Sequence, residues 1–278
     1  MPDDIIELKP GIPGLRLNIR ALIRRLTRQA KTDPIAAVAH RFLHLFQEHG
    51  VPITQIPRLL PQLTLDKLRT TETLLLALTG DILDQAASVF RVQREWIEGA
   101  TESIYDCLWC YKQPEQFFKD LAAIRTKGVF NPIRALFSTK TLDMNGPREQ
   151  PVALLLLEKV ADLADEEVFR YRIYRDEWDW GYWKCRIQLK AMARLVDKEL
   201  SHRIPLYRTD QKTLEEIRSG CRIPSISILR REDNDLSLED FAQGPGESHC
   251  SKESAEFPLV LEYIKNNDLE ALARRALR

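Results

Sequence analysis

Hydrophobic residues recur at helical spacing along residues 81–100, which read DILDQAASVFRVQREWIEGA. Leu83, Ala87 and Phe90 lie three or four positions apart, the spacing that places side chains on one face of an α-helix. A tryptophan–isoleucine pair continues the pattern after a break, and Gly99 follows it. The pattern therefore predicts two short helices, the second of which ends at the glycine.

The residues before this segment show the same periodicity. Asp33 and Pro34 have the residue types of a helix N-cap and first turn, and Gly50 is suited to ending that helix. The next segments that predict short helices are TQIPRLL, TLDKLRT with Thr64 as its cap, and TETLLLAL. We therefore expect residues 34–104 to form a unit of about five helices joined by short loops.

The second half of the chain mixes two periods. Its predicted helices are PEQFFKDLAAIRTKG, PVALLLLEKVADLA, GYWKCRIQLKAMARLVDKEL, QKTLEEIRSG and one or two in FPLVLEYIKNNDLEALARRALR. The alternating segment VFRYRIYR predicts a half-buried strand, and RIPLY and IPSISIL predict two more. The fold class predicted is mainly α, with an N-terminal helical bundle and a small α+β C-terminal domain.

Composition changes this picture little. The 278 residues carry 41 basic and 41 acidic side chains, so nucleic-acid binding would have to come from local patches. Five scattered cysteines fit a reducing compartment. The first fifteen residues lack the basic-then-apolar order of a signal peptide, and the longest apolar run, residues 152–157, is too short to span a bilayer. We expect a cytoplasmic protein without a membrane partner.

Residues 40–100 resemble the helix-turn-helix domain of the Xre/Cro phage-repressor type. Gly50 matches the glycine that ends the first helix of that family, and the segment IPRLL matches its second helix. DILDQAASVFRVQREWIEG matches the closing segment, including Gly99. The resemblance covers about sixty residues and implies a helix-turn-helix bundle whose recognition helix is TLDKLRT, residues 64–70.

That resemblance implies that the protein is a DNA-binding transcriptional regulator acting on double-stranded DNA as a homodimer. The DNA-contacting residues it implies are Thr64, Lys67, Arg69, Thr70 and Thr71. A basic arm precedes the bundle: residues 9–32 hold seven basic residues and no acid. Within the arm we expect Arg24, Arg25 and Arg28 to contact phosphates, although such a segment is also typical of a solvated helix face.

The alternative is a non-enzymatic adaptor that uses the helical fold for protein–protein contacts. Residues 34–104 carry six basic and eight acidic side chains, and this balance favours the adaptor. Pro57 stands where the family has alanine, and Pro61 replaces the turn glycine. Both prolines favour the same alternative.

The segment EWDWGYWKCR, residues 177–186, is rich in aromatic and charged residues. It predicts either an aromatic corner of the core or a pocket for a small-molecule effector. The pocket would be lined by Trp178, Trp180, Tyr182, Trp183 and Lys184.

Signatures of catalysis and of metal binding are absent from the sequence. The chain has no P-loop, no G-x-S-x-G and no G-x-G-x-x-G after a strand, so we expect no catalytic residues and no cofactor. The pair Cys107 and Cys110 lacks a second pair at zinc spacing, so we expect two half-buried thiols and no metal.

These expectations divide the chain into five segments. Residues 1–33 form the basic arm, 34–104 the helix-turn-helix domain and 105–149 a helical connector. Residues 150–230 form the α+β domain, which senses a small-molecule or protein effector or mediates assembly. Residues 231–278 form a polar loop and a C-terminal helix.

Overall fold

The computed structural model describes residues 33–125, 132–139, 142–146, 149–163, 166–229, 237–243 and 253–277. It shows an α/β protein with 52% helix and 16% strand, in which N-terminal helices precede a sheet region. The described residues include eleven α-helices and a five-stranded mixed sheet. The prediction that the helices precede the sheet is confirmed. The strand content is larger than a mainly α fold implies.

The chain divides into two compact units. Of the described residues, unit 1 comprises 33–47, 51–88 and 93–102, and unit 2 comprises 48–50, 89–92 and 103–277. The helices that lie mainly in unit 1 are α1 (Pro34–Glu48), a 3-10 turn (Ile53–Gln55), α2 (Ile56–Leu59), α3 (Thr71–Ala77), α4 (Gly80–Phe90) and α5 (Arg94–Glu98).

The helix boundaries at both ends of unit 1 follow the predicted signals. The Asp33 carboxylate accepts the backbone N–H of Ile35 at 2.9 Å and caps α1, as predicted. Gly99 has φ +87° at the C-terminus of α5, a conformation that glycine adopts without steric cost. A Cβ at this position would lie 2.1 Å from Arg41 Nη1, so an alanine there would also collide with a neighbouring side chain. The two predicted closing helices are confirmed.

The predicted recognition helix over residues 64–70 is wrong. This segment forms successive turns, in which the N–H groups of Lys67 and Leu68 donate to carbonyls three residues earlier. Hydrogen bonds from the Thr64 hydroxyl and from nearby backbone N–H groups lower the pKa of Asp66. Such local side-chain bonds compete with helical hydrogen bonding. Thr70 then caps α3 through a reciprocal pair of bonds with Thr73, and α3 is the helix predicted for TETLLLAL.

Unit 2 is built on the mixed sheet. Its strands are β1 (Ile133–Phe137), β2 (Pro151–Leu163), β3 (Glu166–Ile173), β4 (Trp178–Asp179) and β5 (Leu206–Arg208). The order is β3-β2-β1-β5, with β4 also paired to β2. Strands β1, β2 and β3 form an antiparallel meander, whereas β5 pairs with β1 in parallel.

Six of the described α-helices belong to unit 2. They are α6 (Pro114–Arg125), α7 (Trp183–Leu200), α8 (Gln211–Arg218), α9 (Ile226–Leu229), α10 (Phe257–Asn266) and α11 (Leu269–Leu277). One sheet face, which includes Ile133 and Leu154, shares a hydrophobic core with α6, α7, α10 and α11. Of the predicted elements, the strands at 169–173 and 206–208 and the helices at 183–200 and 211–218 are confirmed.

Two predictions in unit 2 are wrong. The segment PVALLLLEKVADLA was predicted to be a helix, and it forms strand β2. Residues 152–157 are all buried because both faces of this central strand are covered, and such a strand has no alternation to distinguish it from a buried helix. The segment IPSISIL was predicted to be a strand, and Ile226–Leu229 within it is a short helix.

No single helix among the described residues combines the length and the apolar character needed to cross a bilayer. Helices α3 and α4 meet both requirements only when taken together, and they are bent by 95° at their junction.

A buried carboxyl group makes the stability of unit 2 depend on pH. Burial raises the pKa of Glu239 to about 7, even though the Ile204 N–H donates to its two oxygens at 2.8 and 2.9 Å. The folded state therefore holds this proton more tightly than the unfolded chain. The resulting stabilisation is complete below the ordinary glutamate pKa and is lost as the pH rises through the folded value.

We expect the free energy of unfolding to fall by about 1 kcal/mol between about pH 6 and about pH 8 because of this group. In Glu239→Gln that contribution should disappear, so the variant should gain stability relative to the wild type as the pH rises. Urea denaturation at a series of pH values measures the difference. Parallel pH dependences for the two proteins would show that Glu239 does not titrate in this range.

Candidate functional site

The residues predicted to contact DNA lie on the surface of unit 1. Thr64, Arg69 and Thr70 are exposed, and Lys67 and Thr71 are half-buried. The Lys67 ammonium donates to the Gln62 carbonyl at 3.0 Å. The structure thus brings these residues together on one exposed segment, but as a turn that leads into a helix.

Helix α3 follows the turn that replaces the predicted recognition helix. Its sequence, TETLLLA, contains no basic residue. Leu74 is buried and anchors the helix, whereas Glu72, Thr73 and Leu76 are exposed. Leu76 is 88% exposed, the largest value among the exposed large hydrophobic residues. The solvent-facing side of α3 is therefore apolar and acidic, which does not suit a phosphate backbone.

A groove of about 450 Å³ runs beside α3. Leu76 and Ile82 contribute apolar walls, and Lys67 and Asp81 contribute one charge of each sign. Gln85, which also lines the groove, accepts a hydrogen bond from Gln62 at 3.0 Å. This arrangement offers an apolar contact flanked by two opposite charges.

Ion pairs within unit 1 engage two of its arginines. Arg94 forms salt bridges to Asp84 at 2.9 Å and to Glu98 at 2.8 Å. Arg41 lies 3.7 Å from Glu102. Arginines held by carboxylates in this way are less available to bind phosphates. These ion pairs and the excess of acidic residues over 34–104 both disfavour DNA binding. The arm residues Arg24, Arg25 and Arg28 lie outside the described residues.

The aromatic residues predicted to line an effector pocket are separated by the fold. Trp178 and Trp180 are completely buried in the core of unit 2, where Trp180 packs edge-on against Phe241 with ring centroids 5.1 Å apart. Tyr182 and Trp183 are 43% and 50% exposed. The Lys184 ammonium lies 5.5 Å from the Trp183 ring centroid. Two of the five residues thus serve the core and three lie at the surface.

The two cysteines of the C-x-x-C motif have different environments. Cys110 is buried and its thiol donates to Asp176 at 3.3 Å, whereas Cys107 is half-buried. Burial raises the pKa of Cys107 to about 11 and raises the pKa of Cys110 further. Neither thiol is a reactive thiolate at neutral pH. Among the described residues there is no group of three or more histidine, cysteine and carboxylate side chains placed to hold a metal ion.

Sequence reasoning missed a buried ionic cluster in unit 2. The Arg186 guanidinium donates to both oxygens of Glu256 at 2.8 and 2.6 Å, and the Lys190 ammonium donates to the same carboxylate at 2.9 Å. Arg186 and Lys190 are one helical turn apart among apolar residues of α7. The spacing of two cations within an apolar helix was the available signal. The pairing with Glu256 could not be read from it, because Glu256 is 70 residues away from Arg186.

A second missed cluster surrounds the buried Glu158 of β2. Arg170 and Arg172 extend from the neighbouring strand β3, and Arg91 belongs to the 89–92 segment of the same unit. Each guanidinium lies within 4 Å of the Glu158 carboxylate. The alternating arginines of VFRYRIYR were the available signal, but the sequence predicted only a half-buried strand there.

Comparisons of the chain with protein-family models, with curated proteins and with solved structures find no match in any of the three.

Proposed function

We propose that the chain is a non-enzymatic adaptor and that the groove beside α3 is its protein-contact surface. The observation that carries the proposal is the exposure of Leu76 in the wall of that groove, on a helix without basic residues. Contiguous apolar patches rimmed by polar residues are typical of protein interfaces, and in this groove Leu76 is joined by Ile82. A groove that reads DNA would instead need unpaired cations facing outward.

The occupant that fits the groove is a second copy of this chain. Lys67 and Asp81 both line the groove, so the surface carries one positive and one negative charge beside the exposed leucine. In a two-fold interface a contact between two different residues occurs twice, with the copies exchanged, and a residue near the axis meets the same residue of the other copy. Lys67 of each copy would face Asp81 of the other, with the two Leu76 side chains between them. Sedimentation equilibrium of the full chain, with and without a charge at position 76, tests whether the groove holds a second copy.

A DNA-binding transcriptional regulator is the second candidate. It is favoured by the exposure of Arg58 and Arg69 near the turn that precedes α3, and by the basic composition of residues 9–32. In such a protein the surface turn over residues 64–70 would lie against the duplex. A homodimer serves this function as well, so oligomeric state alone does not distinguish it from the adaptor.

Fluorescence anisotropy with a labelled DNA duplex distinguishes the two candidates. For the adaptor we expect only non-specific binding, with a Kd on the order of 10⁻⁵ M at physiological salt, and a change of less than about twofold in Lys67→Ala/Arg69→Ala. We expect Arg24→Ala/Arg25→Ala to weaken the residual binding by about tenfold, because two phosphate contacts are lost. A preference for one duplex sequence that disappears in Lys67→Ala/Arg69→Ala would favour the regulator.

A further inference from the structure

Two cysteines of unit 2 lie at the C-terminus of helix α8. The helix ends at Arg218, and Gly220 follows it with φ +74°. Cys221 comes next in the chain and is exposed, whereas Cys107 is half-buried and reaches the same turn from the segment that precedes α6. Both are free thiols. We call Cys107 and Cys221 the cysteine pair.

The Cys107 sulfur contacts the backbone of this turn directly. Its thiol lies 3.9 Å from the carbonyl oxygen of Arg218, and a Cβ built on Gly220 would lie 2.8 Å from the sulfur. Cys221 is the next residue, and consecutive Cα atoms are only about 3.8 Å apart. The Cys221 sulfur lies 3.8 Å from the carbonyl oxygen of Ser219. The two sulfurs therefore lie at adjacent carbonyls at the end of one helix.

Backbone hydrogen bonds hold the two segments of the cysteine pair together. The N–H groups of Ile104 and Tyr105 donate to the Gly220 carbonyl at 2.7 and 3.2 Å. On the other side of Cys107, the Leu108 N–H donates to the last residue of β3 at 2.8 Å. A disulfide requires Cα atoms about 4.4–6.8 Å apart. Attachments on both sides keep Cys107 over the turn, which favours closure by rotation of the two side chains.

The two thiols also interact electrostatically. Burial raises the pKa of Cys107 to about 11, and Cys221 adds to this rise, whereas Arg175 opposes it. Because such an interaction weakens with distance, it agrees with two sulfurs that lie near each other. A reduced pair that is not stabilised as a thiolate favours the disulfide. The exposed Cys221 is the better placed of the two to react first with a reagent from solution.

We propose that Cys107 and Cys221 form a reversible disulfide by exchange with a low-molecular-weight disulfide such as glutathione disulfide. The Cys221 thiolate attacks one sulfur of the reagent, which gives a mixed disulfide and releases one glutathione thiolate. The Cys107 thiolate then attacks the Cys221 sulfur and releases the second glutathione. The two cysteines are oxidised, the reagent is reduced to two glutathiones, and these take up the two thiol protons.

The disulfide joins the end of α8 covalently to the segment that leads into α6. It closes the loop from residue 107 to residue 221, and a long loop is the case in which a cross-link restricts the unfolded chain most. In a reducing compartment such a bond is typical of a redox-sensing pair. The cysteine pair thus gives unit 2 a reduced state and a stapled state. Neither cysteine lines the groove beside α3.

Treatment of the full chain with millimolar glutathione disulfide, followed by peptide mapping in a mass spectrometer, tests this proposal. We expect one linked pair of peptides, which contains Cys107 and Cys221 and separates on reduction. The melting temperature of the oxidised protein should be higher by about 5 °C or more. Cys221→Ser, at an exposed position, should lack both the link and the shift and should melt within about 2 °C of the reduced wild type.

The matched control is Cys250→Ser, which replaces a cysteine outside the pair and should keep both the link and the shift. In Cys107→Ser the reaction should stop at one glutathione on Cys221, because the second thiolate is missing. A wild-type protein that stops at this mixed disulfide, or that does not react, would overturn the proposal. A link from Cys107 or Cys221 to a different cysteine would do the same.

Discussion

Replacing Glu256 with alanine is expected to lower the free energy of unfolding of unit 2 by about 3–5 kcal/mol. The carboxylate accepts hydrogen bonds from Arg186 and Lys190, which are 4% and 0% exposed. Removing it leaves two cations in a water-excluded region without their shared anion. The loss is larger than that of a surface pair because neither cation has bulk water to solvate it.

Urea denaturation followed by tryptophan fluorescence measures this loss, since four of the five tryptophans lie in unit 2. The matched control is Glu262→Ala, an exposed glutamate on α10, which should change stability by less than about 0.5 kcal/mol. The combined replacement Arg186→Met/Lys190→Met/Glu256→Leu should recover much of the stability, because it removes the buried charges together. Equal stability of Glu256→Ala and Glu262→Ala would show that the cluster is not a coupled unit.

The cluster of Arg186, Lys190 and Glu256 also makes the stability of the fold depend on pH in the acidic range. Burial alone would raise the pKa of Glu256, but the hydrogen bonds from Arg186 and Lys190 outweigh it and lower the pKa below the usual glutamate value. The stabilisation is therefore present above the unfolded pKa and is lost as the pH falls through the folded value. Glu256→Ala should lose less stability on acidification than the wild type does.

Local signals were sufficient to predict several elements. Asp33 and Gly99 mark helix ends because a side-chain cap and a left-handed glycine act within one turn of the chain. The helix over 183–200 was predicted because its apolar residues keep a period near 3.6 over many turns. In these cases the sequence and the tertiary structure favour the same local conformation.

The errors arise where the deciding interactions are distant or involve specific side chains. Strand β2 is buried on both faces by elements that come before and after it in the chain. The leucines of the strand do not by themselves indicate this burial. Over residues 64–70, hydrogen bonds to the Asp66 side chain favour turns over the helix that the apolar spacing indicates.

The candidate sites were partly accessible from the sequence. The segment from Thr64 to Thr71 lies at the surface, with Lys67 and Thr71 half-buried, and it forms a turn where a recognition helix was predicted. The sequence did not single out Leu76, because in a run of leucines the helical spacing does not show which side chain faces the solvent. Glu158 and its arginines come together through strand pairing and through the 89–92 segment, which no local pattern specifies.

A single charge in the groove beside α3 is expected to dissociate the protein into monomers. Burying a leucine side chain stabilises an interface by about 1.5–3 kcal/mol, and in a two-fold dimer each replacement acts twice. Leu76→Asp should therefore weaken the dimer by at least about a hundredfold. Leu76→Lys should do the same, which separates loss of the contact from an effect of negative charge near the end of α3. Both variants should fold normally, because position 76 is 88% exposed.

Sedimentation equilibrium of the full chain at micromolar concentration tests the protein-contact surface most directly. The matched control is Ile35→Asp, which places the same charge at an exposed aliphatic position in the first turn of α1, outside the groove. We predict a dimer for the wild type and for Ile35→Asp, and a monomer for Leu76→Asp and Leu76→Lys. A wild-type monomer, or a dimer that persists in both Leu76 variants, would contradict the account.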